Sequence, residues 1–227
     1  MNILELVTNF QKENHPLTIT DDFVKEKVQQ NIAIYDKAGD QHYDIASAFI
    51  KSIRGSDPNA TVYWLARMIE GGEDVKFIAR RMVILASEDI GNANPTALVI
   101  ANNTFQAVNV IGYPEARIIL SQCAIYLATS SKSNASYLAI NSAQQKVRET
   151  GDLPVPLELR NAPTKLMKDM DYGKGYQYAH DQPGNFVNAE FLPSEISGSK
   201  FFEPGKNPRE EEMRKKLRAQ WKEKYGY

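Results

Sequence analysis

Apolar residues recur at helical spacing along most of the first 150 residues of this chain. The stripe after Pro58, for example, carries Val62, Leu65 and Ile69, and the stretch that follows repeats the spacing. Residues three and four positions apart share one face of an α-helix, whereas a strand needs alternation at every second residue. No stretch alternates convincingly in that way. The sequence therefore predicts an all-α fold.

Local signals mark where several of these helices begin and end. Asp57-Pro58, Asn94-Pro95 and Asn207-Pro208 each join a good N-cap residue to a proline at the first helical position. Gly55 and Gly71 follow apolar stripes and are expected to end helices. These signals predict helix starts at Pro58, Pro95 and Pro208.

The helix predicted at residues 114–129 has almost no polar face. A helix that is apolar all round lies either at the centre of its domain or in a subunit interface. Ser133 is expected to cap a partner helix, on which Ala135, Ala139 and Ala143 allow close approach of a neighbour.

The character of the chain changes at Gly151. Six prolines between residues 153 and 204 forbid long helices, which predicts an arm that wraps the helical body. The last predicted helix, at residues 208–225, is charged except for a weak apolar face of Met213, Leu217 and Trp221. It is either a surface helix docked by those side chains or a frayed tail.

Composition narrows the class of protein. The chain has 227 residues and a formal net charge of −1, so its bulk charge does not suggest wholesale affinity for nucleic acid or membranes. Its one cysteine, Cys123, cannot form an internal disulfide. No apolar run approaches the ~20 residues of a membrane span, and the first residues lack the basic and apolar regions of a signal peptide. We expect a cytoplasmic protein.

Motifs for catalysis are absent from the sequence. There is no phosphate-binding loop and no nucleophile elbow. Cys123 sits in the most apolar helix, which favours an inert core thiol over a nucleophile. His42 and His180 are far apart in sequence and are not expected to hold a metal. The sequence predicts no catalytic, cofactor-binding or metal-binding residue in this chain.

Two kinds of basic surface are candidates for phosphate binding. Lys51, Arg54, Arg80 and Arg81 lie on helices, where they form either solvated faces or a patch that contacts DNA or a partner's acidic residues. Residues 159–181, which we call the strap, mix basic and aromatic side chains with glycine and proline. The strap either packs on its own domain or contacts another subunit, another domain or a phosphate backbone. Its candidate residues are Lys165, Lys168, Tyr172, Lys174, Tyr176, Tyr178 and His180.

A series of segments, taken in order, carries a family resemblance. They are YDKAGDQHYD at residues 35–44, KSIRGSDP at 51–58, YWLAR at 63–67, ARR at 79–81, ASEDIG at 86–91, KSNA at 132–135, LRNAPTKLM at 159–167 and YQYAH at 176–180. Together they resemble the C-terminal region of the replication-associated recombination protein A family. These are AAA+ ATPases of the clamp-loader clade, related to the Werner-helicase-interacting protein. The resemblance covers roughly residues 3–204, and Ser131 stands where the family usually has proline.

The resemblance implies a helical oligomerisation domain like the collar of clamp loaders, with a proline-rich C-terminal arm that wraps it. It also implies a homotetramer that acts on DNA at stalled forks, with single-stranded-DNA-binding protein as a partner. Family members are about twice as long, and ATP and magnesium bind in a AAA+ domain that precedes this region in cis. We therefore expect that this chain begins within the lid of that domain and is not itself an enzyme.

The resulting division assigns residues 1–34 to the end of the lid, 35–150 to the oligomerisation core, 151–207 to the arm and 208–227 to a charged helix or tail. Two hypotheses follow: an assembly module, favoured by the near-neutral net charge, and a module that mainly contacts DNA or a partner protein. Candidate DNA contacts are Lys51, Arg54, Arg80, Arg81, Lys165, Lys168 and Lys174. Candidate interface residues are Ile119, Cys123, Leu127, Tyr172, Tyr176, Tyr178 and His180.

Overall fold

The computed structural model describes Thr20 and residues 40–227, so the predicted lid region lies outside the described residues apart from Thr20. The described part consists of helices, turns and extended segments and contains no strand, which confirms the all-α prediction for it. The α-helices are α1 Asp40–Arg54, α2 Pro58–Glu70, α3 Val75–Leu85, α4 Thr96–Ile111, α5 Ala116–Thr129, α6 Ala135–Thr150, α7 Lys165–Asp169 and α8 Pro208–Tyr225. Between α3 and α4 lie a π-helix, Ala86–Ile90, and a 3-10 helix, Gly91–Ala93.

Two of the three predicted helix starts are confirmed, at Pro58 and Pro208, whereas α4 begins at Thr96, one residue after the predicted Pro95. Oδ1 of Asp57 accepts the backbone N–H groups of Asn59 at 2.9 Å and Ala60 at 3.0 Å. Helix α2 therefore starts at Pro58, as its sequence predicts, because these N–H groups have no carbonyl partner within the helix. Helix α1 ends at Arg54, before Gly55, as also predicted.

The described chain forms two compact units. The first contains residues 40–86 and 96–130, and its helices α1 to α4 all contact α5. Leu120, Cys123, Ala124 and Leu127 of α5 are buried in this unit. Of the two positions that its composition allows, α5 thus occupies the centre of its own unit, because four helices cover most of its circumference.

The second unit contains residues 87–95 and 131–227. The boundary between the two units differs from the predicted division of the chain. Residues 131–150, which were predicted to belong to the oligomerisation core, lie in the second unit together with the arm. The backbone N–H of Ser133 donates to the carbonyl of Asp89 at 2.8 Å, and Nδ2 of Asn92 donates to Oγ of Ser136 at 3.1 Å. These bonds hold the start of α6 to the segment between α3 and α4.

Gly91 makes the close approach at this joint possible. Its φ is +49°, and a Cβ there would stand 2.9 Å from the carbonyl oxygen of Ser133. A side chain would therefore meet both backbone strain and a backbone atom that cannot rotate away.

The N-terminus of α8 is held by a buried carboxylate. Glu210 is fully buried, and its Oε2 accepts the Gly205 N–H at 3.1 Å and Nδ2 of Asn207 at 2.6 Å. The Glu210 N–H in turn donates to Oδ1 of Asn207 at 3.0 Å. This reciprocal arrangement is a variant of the capping box. It fixes the point at which the arm turns into α8.

The apolar face of α8 is docked in the second unit. The Trp221 ring meets Phe186 edge to face at a centroid distance of 4.9 Å and Phe191 at 6.3 Å. Nζ of Lys224 bonds Oε1 of Glu190 at 2.8 Å. Of the two alternatives for the C-terminus, the structure shows the docked helix rather than the frayed tail, because the arm supplies aromatic partners for Trp221.

None of the helices that the structure describes is long and apolar enough to cross a membrane.

Candidate assembly and nucleic-acid surfaces

Helix α6 leaves most of its apolar side chains uncovered. Ala135 is its one buried residue, whereas Ile140 is 55 % exposed and Val147 is 59 % exposed. Tyr137 lies on the same face as these two, three positions before Ile140, and is also exposed. Gln144 lies between Ile140 and Val147 on this face, so the apolar surface is interrupted there, but exposed apolar side chains grouped on one helix face mark an interaction surface more often than scattered ones do. We call Tyr137, Ile140 and Val147 the α6 stripe.

Helix α4 presents a second uncharged surface in the first unit. Its sixteen residues include no charged side chain. Val99 and Val110 are exposed, the latter at 84 %. Depletion of charge is a property of interface cores rather than of ordinary solvated helices.

The interface residues predicted on α5 divide between core and surface. Cys123 and Leu127 are buried within the first unit, so they are not on its surface as an interface requires, and Ile119 is half-buried. The reason is that α5 turns these side chains toward the neighbouring helices. The exposed apolar residues of α5 are instead Ile118 and Ile125.

The thiol of Cys123 is an inert core group. Burial raises the pKa of Cys123, and a hydrogen bond with Thr104 only partly opposes this effect. A thiol whose pKa is raised has less thiolate, the nucleophilic form, at neutral pH. Its position agrees with the core thiol that the sequence favours.

The strap divides into an anchored and an exposed part. Nη1 of Arg160 donates to the hydroxyl of Tyr172 at 3.1 Å, and the guanidinium lies 5.0 Å from the centroid of the Tyr172 ring. Tyr172 is therefore committed to its own unit. Tyr176 and Tyr178 are more than half exposed, and the Tyr178 ring lies 5.1 Å from that of His180. The exposed pair stays available to a partner.

Four of the predicted DNA contacts lie in the first unit. Lys51 and Arg54 are exposed in the last turn of α1. Arg80 is exposed on α3, whereas Arg81 beside it is half-buried. Cations in the last turn of a helix are stabilised by its dipole, so the first pair also has a structural reason to be there.

The other three predicted DNA contacts lie in the second unit. Lys165 and Lys168 are exposed on the short helix α7, which Thr164 caps by accepting the Met167 N–H at 3.3 Å. Nζ of Lys174 lies 2.9 Å from Oδ1 of Asp171, which partly neutralises its charge. Lys165 and Lys168 are thus the stronger candidates of the three.

The ion pair between Glu190 and Lys224 holds the arm to α8. Burial by itself raises the pKa of Glu190, but hydrogen bonds from Lys224, Ser197 and the Leu192 N–H outweigh it and lower the pKa to about 2. A carboxyl with a lowered pKa stabilises the fold above its unfolded-state pKa, and this contribution is lost as the pH falls toward 2.

We predict that Glu190→Gln lowers the stability of the second unit at pH 7 and flattens its acid dependence between about pH 4.5 and 2. Urea unfolding at pH 7, 4 and 3, monitored by the fluorescence of Trp221 in a Trp64→Phe background so that the first unit does not contribute, measures both effects. Glu195→Gln, which removes an exposed carboxylate of the same arm, serves as the control. Parallel stability curves for the wild type and Glu190→Gln would contradict the prediction.

Several residues that hold the second unit together are not identified in the sequence analysis. The Glu210 capping arrangement has a local signal, because Asn207 stands at the N-cap and a glutamate follows three positions later. The Gly91 contact has no such signal, since its partner Ser133 is 42 positions away. Asp89 of the same segment is buried, and its charge opposes the lowering of the Lys132 pKa by burial.

Comparison with known proteins identifies the family. A family model described as MgsA AAA+ ATPase C terminal matches residues 55–221, which is most of the chain. The chain belongs to this family. A model described as AAA C-terminal domain matches residues 1–54. The resemblance found in the sequence is thereby confirmed, and the chain is the C-terminal part of an AAA+ ATPase family member.

Named relatives agree with this assignment. The chain is 43 % identical to replication-associated recombination protein A of Coxiella burnetii, over 96 % of this chain and 50 % of that protein. For the protein of the same name from Escherichia coli strain K12 the identity is 38 %, over 96 % and 49 %. ATPase WRNIP1 of Dictyostelium discoideum is 47 % identical over 78 % of this chain and 20 % of its own length. The chain thus spans about half or less of these curated relatives.

Proposed function

We propose that this chain is the assembly module of a DNA-acting AAA+ ATPase and that it forms a homotetramer. The observation that carries the proposal is the α6 stripe, which a solvated helix has no reason to expose. Burying a half-exposed Ile, Val or Tyr side chain contributes on the order of 1 kcal/mol. Contributions from several such side chains in each copy favour association. A two-fold contact through the α6 stripe gives a dimer, and a second two-fold surface on each copy, for which the exposed strap is the candidate, joins two dimers into the tetramer.

Gel filtration coupled to light scattering tests this proposal directly. We expect a mass near four times the 25.6 kDa of one chain at micromolar concentration. A mass equal to one chain at that concentration would refute the assembly role, whereas a stable dimer would refute the tetramer alone.

The role of the whole protein is proposed by analogy with its named relatives. The name replication-associated recombination protein A supports a function in maintaining replication forks and in recombination. We infer that the module spaces the AAA+ domains that precede it in cis and helps to place them on DNA. Single-stranded-DNA-binding protein is the partner that the family resemblance suggests.

DNA contact is the second candidate function, and the exposure of Lys165 and Lys168 favours it. We predict weak binding that fades above about 0.1 M salt, because each phosphate contact adds roughly 0.9 to the log–log salt slope. Lys165→Ala/Lys168→Ala should lower that slope by about 2, since two phosphate contacts are lost. Fluorescence anisotropy of a labelled duplex over a salt series measures the slope.

The matched control for the DNA experiment is Lys215→Ala/Lys216→Ala, which removes the same charge from the exposed face of α8. An equal loss of slope in both double variants would show only a response to net charge. Binding that is insensitive to salt would assign these lysines another role.

We further predict that this chain binds neither ATP nor Mg·ATP with micromolar affinity. Its sequence offers no phosphate-binding loop and no arginine placed to sense a γ-phosphate. In the proposed parent protein these groups belong to the AAA+ domain. Isothermal titration of the chain with ATP and magnesium checks the prediction, and a saturable heat at micromolar ATP would contradict it.

A further inference from the structure

Three segments of the arm enclose a groove of about 560 Å³ in the second unit. This volume is within the range of sites that bind small molecules or peptide side chains. We call it the arm groove, and it is separate from the α6 stripe. Its lining consists of residues 154–160, 175–177, 187 and 189–195.

The walls of the arm groove are largely apolar and uncovered. Val155 and Tyr176 are more than half exposed, and Phe191 is 45 % exposed. Pro154, Pro156 and Pro193 stiffen the same walls. Rigid walls lose little conformational entropy when a ligand binds. The groove therefore binds an apolar ligand at a smaller entropic cost than a flexible surface would.

One edge of the groove has an unpaired main chain. Residues 187–191 belong to no helix or strand and form no backbone–backbone hydrogen bond with any residue that the structure describes. Their one carbonyl with a side-chain donor is that of Ala189, which accepts Nζ of Lys224 at 3.2 Å. Main chain with free N–H and C=O groups can pair with an added peptide strand.

The exposed carboxylates that line the groove outnumber its one lining cation. That cation is Arg160, which donates to the carbonyl of Val155 at 2.7 Å and to the Tyr172 hydroxyl; both acceptors are neutral, so Arg160 keeps its positive charge. Glu190 is paired with Lys224. Glu158 and Glu195 remain exposed at the rim, and no described residue forms an ion pair with either. An acidic rim repels phosphate groups and attracts lysine and arginine.

We propose that the arm groove binds an extended basic segment of a partner protein. The segment adds its backbone alongside residues 187–191, and its apolar side chains contact Tyr176 and Phe191. Its lysine or arginine side chains meet Glu158 and Glu195. Main-chain pairing supplies affinity in this arrangement, while the acidic rim selects basic over acidic sequences.

The test uses the 227-residue chain and a fluorescein-labelled octapeptide of alternating lysine and valine. We expect saturable binding by fluorescence anisotropy and shifted amide signals at residues 187–191 in ¹⁵N spectra. Glu158→Lys/Glu195→Lys should weaken binding at least tenfold, because it reverses both rim charges. Glu212→Lys/Glu223→Lys makes the same change in net charge on exposed positions of α8 and should leave binding within twofold.

The proposal is overturned by the absence of saturable binding, by equal losses in the two double variants, or by equal binding of an alternating glutamate–valine peptide. A change in light-scattering mass caused by Glu158→Lys/Glu195→Lys would also overturn it, since the groove would then seat a second copy of this chain. Unchanged circular dichroism and melting temperature in both variants exclude unfolding as the cause. A Val155→Ser variant, which removes an exposed apolar side chain of the groove wall and leaves the ring contacts of Trp221 in place, provides a second check that reverses no charge, and we expect at least threefold weaker binding from it.

Discussion

Ile140→Asp is expected to break the proposed tetramer into species of one or two chains. Ile140 lies in the middle of the α6 stripe, so in the assembled state its aspartate would be buried between copies without a partner. A buried unpaired carboxylate costs several kcal/mol, which exceeds the contribution of any single apolar contact in the stripe. Light scattering should show the fall in mass, and circular dichroism should show that the helices persist, because residue 140 is exposed within one chain.

Ser142→Asp is the matched control for this experiment. It introduces the same charge on the same helix, but residue 142 points away from the stripe and is also exposed. The tetramer should survive in this variant. An unchanged mass in Ile140→Asp would remove the α6 stripe from the interface.

The strap offers an independent surface for the same assembly. Tyr178→Ser removes the exposed aromatic ring of the strap that lies outside the arm groove and is expected to shift the tetramer toward dimer. If Ile140→Asp and the strap variant both lower the light-scattering mass, the α6 stripe and the strap each form one interface of the tetramer. If only Ile140→Asp lowers the mass, the strap has another partner.

Gly91→Ala is expected to destabilise the second unit by about 2–4 kcal/mol. Two costs add at this position, because φ is +49° and the new Cβ would stand 2.9 Å from the Ser133 carbonyl oxygen. The Ser133 carbonyl oxygen cannot rotate away, because it belongs to the backbone. That backbone is held in place by the hydrogen bond from the Ser133 N–H to the Asp89 carbonyl. A loss of this size lowers the melting temperature by roughly 5–15 °C in a domain of this length.

Two further glycines separate the two costs. Gly184 has a φ of +69° with nothing within 4 Å of its would-be Cβ, so Gly184→Ala should cost about 1 kcal/mol from backbone strain alone. At Gly205 the Cβ would meet Oε2 of Glu210 at 2.5 Å and Oγ of Ser133 at 3.1 Å without a positive φ, so steric contact dominates. Thermal unfolding of the three variants compares them. Equal losses at Gly91 and Gly184 would mean that the approach to Ser133 costs nothing.

Helix positions could be predicted from the sequence because the signals that set them are local. Asp57 caps α2 through N–H groups two and three residues away, and Asn207 with Glu210 does the same for α8. Helical periodicity likewise depends on neighbours within about four residues. The family resemblance was equally available, since its segments retain their order along the chain.

The surfaces could not be predicted with the same success. Residues 114–129 are apolar all round, so periodicity does not indicate which side faces the core. Four neighbouring helices decide it by covering Cys123 and Leu127 and leaving Ile118 and Ile125 in solvent. In α6 the sequence predicts close packing at the alanines 135, 139 and 143, whereas the exposed stripe lies on another face. The arm groove required three segments that are separated by up to about forty residues.

The sequence by itself determined the helical class of this protein, several of its helix boundaries and its family, because capping, periodicity and motif order are properties of short segments. Only the tertiary structure decided which apolar side chains are buried and which remain for a partner. It also decided that Gly91 meets Ser133 and that Glu210 is sealed under the start of α8. Burial depends on which distant segments of the chain pack against each face of a helix, and short-range sequence patterns do not specify that packing.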